Sequence, residues 1–154
     1  MKKLLTISFL VLTFISKAQS KIPDYGSISK SEIMMTECAF DKEADAVILL
    51  DQAVATPVDY NLVTVRRIRI KILKASALDR GNISIPYYNK DEFETLYDIK
   101  GYVHNLDENK VPYVINLDKS SIFRKKINEY YSEVKLAMPE VKVGSIIEYQ
   151  YESR

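Results

Sequence analysis

The stretch LVTVRRIRIKILK at residues 62–74 decides the fold class, because its second half alternates strictly between apolar and basic side chains. One set of alternate positions is apolar and the other is basic: Ile68, Ile70 and Ile72 against Arg67, Arg69 and Lys71. Successive side chains of a strand point to opposite faces of a sheet, so a period of two indicates a β-strand. We expect Ile70 to be buried, and Arg69 and Lys71 to be exposed.

The apolar positions change phase near the start of this strand. Val63 and Val65 are odd-numbered, whereas the three isoleucines are even-numbered. In a regular strand, such a change places one of the two apolar sets on the wrong face. We therefore expect a β-bulge near Arg66 and Arg67, and the alternative is a strand whose beginning is buried on both faces.

Further strand patterns follow, separated by turn residues. With 11 Tyr, no Trp and 4 Gly, the composition favours pleated, half-buried surfaces and turns built on Asn, Asp and Pro. Apolar or alternating segments lie at residues 46–57, 83–88, 97–103, 111–117 and 145–151. Pro86 assigns its segment to a sheet edge. Residues 122–137 have the charge content of a helix, but their tyrosines favour a strand from about residue 130. About seven or eight strands with hairpin-length connections predict a mainly β, antiparallel β-sandwich.

Two short helical segments accompany these strands. Ser29 and Glu32 have the spacing of a capping box, in which each side chain bonds to a free backbone N–H of the other residue. This pattern predicts a helix at about residues 29–36. A second helical turn is expected over residues 75–80, ending at Gly81.

The first 18 residues have the three parts of a secretory signal peptide. Lys2 and Lys3 precede an apolar run at residues 4–15, and Ala18 ends a small-residue cleavage site. The alternative, a transmembrane anchor, needs about 20 apolar residues, and this run is too short. We expect a signal peptide at 1–18, a polar lead-in at 19–28 and the β-sandwich module at 29–154. The mature protein is then periplasmic, secreted or on the cell surface, without a stable membrane span.

Composition argues against several classes of site. The formal net charge of +1 gives no nucleic-acid footprint, and four glycines cannot form a nucleotide-binding loop. One His and one Cys cannot supply the usual ligands of zinc. The acidic residues Asp91, Glu92 and Glu94 lack the spacing of a calcium loop, so we interpret them as a solvated loop. No cofactor, metal site or catalytic residue is assigned.

Cys38, His104 and Asp107 are the residue types of a nucleophilic triad. Such a triad is defined by geometry, and these three types occur together in most chains of this length. We interpret Cys38 as a small buried hydrophobic residue and His104 as an exposed residue at the end of a hairpin. On these grounds the chain is not expected to be an enzyme.

The basic stripe at Arg66, Arg67, Arg69, Lys71 and Lys74 has two interpretations. It could contact an anionic partner, or it could be a solvated sheet face with charge pairs to neighbouring strands. We favour the solvated face, because cross-strand charge pairs are common on exposed sheets.

Four segments together resemble the bacterial domain of unknown function 3857: residues 37–49, 67–73, 83–88 and 135–149. The most specific part is the order Pro-x-Val-x-x-Gly-Ser-x-Ile-Glu-Tyr from Pro139 to Tyr149. The resemblance implies an extracytoplasmic β-sandwich that precedes a transglutaminase-like domain. It assigns the Cys-His-Asp machinery to that following domain, so no catalytic residue is transferred to this chain.

These observations favour a non-catalytic binding or scaffolding module over other functions. Its expected partners are a neighbouring domain of the same parent protein or an extracytoplasmic peptide or polysaccharide. The alternative is the N-terminal part of a transglutaminase-like peptidase or acyltransferase that is active only with its missing domain. An adhesion or assembly subunit is a weaker third possibility. Because the last strand runs almost to Arg154 without a capping segment, we expect the module to be truncated at its C-terminal end.

Overall fold

The computed structural model describes residues 23–154, and the predicted signal peptide lies outside them. The strands are β1 (Ala46–Val58), β2 (Asn61–Ile72), β3 (Asn82–Tyr88), β4 (Leu96–Leu106), β5 (Pro112–Asn116), β6 (Ile122–Lys126), β7 (Tyr131–Ala137) and β8 (Ile146–Ser153). One short helix, α1, spans Lys30–Met34, and 3₁₀ turns lie at Ala75–Gly81, Lys90–Glu92 and Lys119–Ser121.

The strands form two antiparallel sheets, which confirms the predicted sandwich. The larger sheet has the order β1-β2-β8-β4-β5, and the smaller has the order β3-β7-β6. The proline strand β3 lies at an edge, as predicted. A helix over the first part of residues 122–137 is wrong, because β6 pairs with β7 from Ile122 opposite Leu136 to Lys126 opposite Ser132. Backbone hydrogen bonds between this segment and the edge of β7 outweigh the helical preference of the charged residues in the segment.

The apolar core lies between the two sheets. The larger sheet contributes Ile72, Val103 and Ile147, and the smaller contributes Val134 and Leu136, all at most 1% exposed. Full burial of such side chains stabilises the fold by about 1.5–3 kcal/mol each. Successive side chains of a strand alternate between the two faces of a sheet, so every second side chain of the middle strands β2, β4 and β8 points away from this core.

Strand β2 has a regular register, so the bulge predicted near Arg66 and Arg67 is wrong. The irregularity lies in β1 instead, between Ile48 and Leu50. Val63 and Val65 remain partly exposed. They tolerate this because the β1–β2 hairpin extends beyond the sandwich, and every residue from 53 to 62 is exposed.

Ile70 points towards the core side as expected, but it is only partly buried. The facing sheet has three strands against five, so its cover over β1 and β2 is incomplete. A cavity of about 430 Å³ beside Ile70 is lined by Ile48 and by the 3₁₀ turn at Ala75–Gly81.

The outer face of the larger sheet is covered by the chain's own N-terminal region. Helix α1 begins with the predicted capping box: Ser29 N–H donates to Glu32 Oε2 at 2.7 Å, and Glu32 N–H donates to Ser29 Oγ at 3.2 Å. Ile33 is 4% exposed, which anchors the helix. Across residues 23–154, no helix has the length and apolar content needed to span a membrane.

Candidate functional site

Three of the four basic side chains of β2 are buried, which reverses the expectation from the sequence. Arg69 and Lys71 are 0% exposed and Arg67 is 7% exposed. They point to the outer face of the larger sheet, as the alternation predicted, but that face is not solvated. Residues 23–29, which we call the strap, and helix α1 lie across it and exclude water. The interpretation of this stripe as a solvated face was therefore wrong for these three residues, whereas Arg66 and Lys74 are partly exposed and pair with Asp51 and Glu43.

Glu148 on β8 is the acidic centre of this face. It lies directly opposite Arg69 in the β2–β8 register and is 0% exposed. Its Oε1 accepts from Arg67 Nε at 2.7 Å and from Arg69 Nη2 at 3.1 Å. Its Oε2 accepts from the backbone N–H of Gly26 at 3.0 Å. One carboxylate therefore holds two sheet cations and the strap together.

The cations also donate directly to main-chain carbonyls. Arg67 donates to Pro23 and Asp24, Arg69 donates to Ser27 at 2.6 Å, and Lys71 donates to Ile33 at 2.7 Å and to Gly144. Buried charges are tolerated when they are paired and hydrogen-bonded. The strap and α1 supply most of the acceptors that make this burial possible.

Glu32 of α1 supplies the second carboxylate. Its Oε1 accepts from Arg69 Nη1 at 2.6 Å, while Oε2 completes the capping box with Ser29. Burial raises the pKa of Glu32, but the hydrogen bonds from Ser29 and Arg69 lower it by more than burial raises it. The pKa of Glu32 therefore lies below its ordinary value. Arg69 is thus bonded to both carboxylates, Glu32 and Glu148.

His104 on β4 belongs to the same site, although the sequence placed it at an exposed hairpin end. It is 5% exposed, and its Nε2 lies 3.6 Å from Glu148 Oε2. The ring of Tyr102 packs edge-on against His104, and Tyr25 of the strap packs against Tyr102 with ring centroids 4.9 Å apart. The expectation for His104 was wrong because β4 continues past it to Leu106, under the cover of α1.

We call this set the charge cluster: Arg67, Arg69, Lys71, His104, Glu148 and Glu32. Burial raises the pKa of Glu148, but the polar contact with His104, the hydrogen bond from Arg67 and the charge of Arg69 bring the pKa below its ordinary value. Burial lowers the pKa of Lys71 to about 8. Three cations thus face two carboxylates. Within the described chain, Arg69 Nε and His104 Nε2 are buried without a hydrogen-bond partner.

The structure gives the other candidate residues separate local roles. Cys38 is 3% exposed, as predicted. The carboxylate of Asp107 accepts from the backbone N–H groups of Asn109 and Val111, both at 2.8 Å, and so closes the β4–β5 turn. His104 contacts Glu148 and not Asp107. Glu94 accepts from Tyr88 N–H, and no metal-binding group of three or more His, Cys, Asp or Glu residues occurs within residues 23–154.

The family profile of the domain of unknown function DUF3857 matches residues 59–154 of the sequence. The chain belongs to the DUF3857 family. Every sheet residue of the charge cluster lies inside the matched region, whereas the strap and α1 precede it. No curated protein matches the sequence.

A solved structure has the fold of this DUF3857 chain. It is the crystal structure of a "putative protease" from Parabacteroides distasonis ATCC 8503, with a TM-score of 0.57 and 15% sequence identity. The match covers 71% of this chain and 23% of that protein. The chain therefore spans about a quarter of the length of this neighbour, and at this identity the match establishes the fold alone.

The second distinctive surface of this DUF3857 chain is the projecting β1–β2 hairpin. Its apolar side chains are Val54, Val58, Tyr60 and Leu62, with exposures of 50%, 46%, 105% and 59%. The last residue, Arg154, lies at the base of this hairpin, because its neighbour Ser153 pairs with Thr64 of β2. Leu62 is paired with Pro57 and so lies on the face of the hairpin opposite to Val54 and Val58, which means that the projection offers apolar side chains on both faces.

Proposed function

We propose that this DUF3857 chain is a non-catalytic, extracytoplasmic scaffolding module that positions a transglutaminase-like domain of its parent protein. The observation behind this proposal is the β1–β2 hairpin, which projects from the sandwich with four exposed apolar side chains. Such a surface is costly in water and is stabilised when another protein covers it.

The charge cluster supports the non-catalytic part of the proposal. Catalytic acids and bases must reach a substrate, whereas Glu148 and Arg69 are fully buried and bonded to each other and to the strap. The burial of these two charged side chains has a structural explanation, because they attach residues 23–34 to the sheet.

The position of Arg154 supports the choice of partner. A domain joined after Arg154 would start at the base of the hairpin, next to Thr64. A short tether raises the effective concentration of the joined domain to about the millimolar range, so a modest apolar contact suffices for docking. The neighbour from Parabacteroides distasonis, four times longer than the match, is consistent with such an arrangement.

The test uses the full product of the gene that encodes this chain. Tyr60→Ser combined with Leu62→Ser should expose the docked domain and weaken its coupling to the sandwich, seen as faster hydrogen exchange on both sides of the contact. Phe123→Ser is the matched control, because Phe123 is 56% exposed on the opposite sheet. Equal exchange in the hairpin variant and the control would contradict the docking role.

The same material tests the absence of catalysis. The isolated chain should release no ammonia from glutamine-containing peptides and should not cleave peptides, whereas the full product should be active. Activity of the isolated chain would disprove the proposal.

A second candidate is the N-terminal part of a peptidase or acyltransferase that is active only with its further domain. The name of the structural neighbour, a "putative protease", favours it. This function requires that the Tyr60→Ser, Leu62→Ser variant lose catalytic turnover as well as the coupling between the sandwich and the docked domain. Normal turnover in a variant with uncoupled domains would leave scaffolding as the function.

A further inference from the structure

The strap is bound through its main chain. Side chains of the sheet donate to the carbonyls of Pro23, Asp24 and Ser27 and accept from the N–H of Gly26. Arginine donors and a carboxylate acceptor thus replace the hydrogen bonds that a neighbouring strand would make. The strap itself has no strand pairing. Within the strap, Ser27 N–H donates to the carbonyl of Asp24 at 3.0 Å, which closes a turn at Tyr25 and Gly26. The sheet thus recognises the backbone of a turn through fixed donors and acceptors.

We propose that the outer face formed by β2, β8 and β4 is a binding site for an acidic peptide of a partner protein that adopts the same turn as the strap, and that residues 23–34 occupy this site in cis. The proposal is independent of the hairpin and of any downstream domain. It concerns a different face of the molecule, centred on Glu148.

The attachment of residues 23–34 makes exchange feasible. The connection between α1 and β1, residues 35–45, has no helix or strand, and its Phe40 is 89% exposed. The strap contacts the polar face of the sheet, whereas the apolar core lies on the opposite face, around Ile147 and Val134. Release of the strap therefore leaves the contacts between the two sheets in place.

The charge of the sheet face specifies an acidic ligand. The sheet contributes the cations Arg67, Arg69 and Lys71 against the single carboxylate of Glu148. The cis segment reduces this excess with one carboxylate, Glu32, and leaves Arg69 Nε without a hydrogen-bond partner. A peptide with a second acidic group would complement this face better than the cis segment does.

The strap also defines which sequence fits. Tyr25 packs between the Tyr102 ring and the Arg67 guanidinium, which lies 5.3 Å from the Tyr25 ring centre. Gly26 has φ +79°, and a Cβ there would meet the Tyr102 ring at 3.0 Å. The site thus requires an aromatic residue followed by glycine, with a carboxylate at the position of Glu32, six residues after that glycine.

The experiment keeps the whole chain and cuts it once. A protease site placed at residues 40–43 in the exposed connection allows cleavage of the folded protein, after which residues 23–34 are held only by noncovalent contacts. A labelled synthetic peptide of residues 23–39, which includes the buried Cys38, is then added, and its binding is followed by fluorescence anisotropy while circular dichroism reports the sandwich. Saturable exchange with an unchanged β-sheet spectrum is expected.

Peptide variants test the specificity without altering the fold of the protein. Peptides with Gly26→Ala or Glu32→Gln should bind at least tenfold more weakly than the parent peptide. Failure of the labelled peptide to enter, or equal binding of a scrambled peptide of the same composition, would overturn the proposal.

Discussion

Replacement of Glu148 by glutamine tests the charge cluster most directly, because it removes one charge and almost no volume. Every partner of this carboxylate is a donor: Arg67 and Arg69 on Oε1, and the Gly26 N–H on Oε2. The amide must therefore point its own NH₂ group at a donor, whichever way it is turned. Removal of one partner from a buried ion pair costs about 3–5 kcal/mol, since the remaining charges stay buried and unpaired.

A loss of this size is a large fraction of the total stability, which is about 5–15 kcal/mol for a domain. The assay is urea unfolding followed by far-ultraviolet circular dichroism and tyrosine fluorescence, since the chain has 11 Tyr and no Trp. Asp51→Asn is the matched control, because Asp51 forms a two-bond pair with Arg66 in which both side chains are 43% exposed. The control should lose no more than about 1 kcal/mol. Equal losses in the two variants would refute the structural role of Glu148.

Three other predictions concern pH and export. The two carboxylates of the charge cluster have pKa values below their ordinary 4.5, so the folded state binds fewer protons than the unfolded state. The free energy of unfolding should therefore fall as the pH drops through 4.5. Faster hydrogen exchange at the Gly26 amide would report this loss. For Lys71, whose pKa falls from 10.5 to about 8, the free energy of unfolding should rise between pH 8 and 10.5, and urea titrations of Lys71→Met should lack that rise. Arginine at both Leu10 and Leu12 should retain the precursor inside the cell, and normal secretion would contradict the signal peptide.

The alternation in residues 62–74 was sufficient to predict the strand and its two faces, but not the environment of each face. Period two depends only on backbone geometry, which is local to the strand. Whether a polar face meets water depends on what packs against it, and here that is a segment about 40 residues earlier in the chain. For this reason the orientation of Arg69 was predicted correctly, and its exposure was not. The bulge was misplaced for a related reason, since the protruding hairpin removes the need to bury Val63.

The residues of the charge cluster left different traces in the sequence. Glu32 was found only as a helix cap, because its second contact is to a distant strand. Glu148 interrupts the apolar pattern of β8 and sits in the most family-specific segment, and an isolated acid in such a strand is the signal that could have suggested a buried partner for the basic stripe. His104 had no such signal, because its burial depends on α1.

The polar attachment of the N-terminal region has a consequence for specificity. Apolar residues at Arg67, Arg69 and Glu148 could hold a covering segment at least as strongly, because burial of charges costs solvation energy that their attraction only partly returns. Apolar contacts are tolerant of sliding, however, whereas Arg67, Arg69 and Lys71 each donate to particular main-chain carbonyls of the covering segment. A strap shifted by one residue would point the Gly26 N–H away from Glu148 and leave several buried charges without acceptors. The cluster thus fixes the register of the segment that lies on it, and the same property would let the face select one turn-forming peptide among many acidic ones.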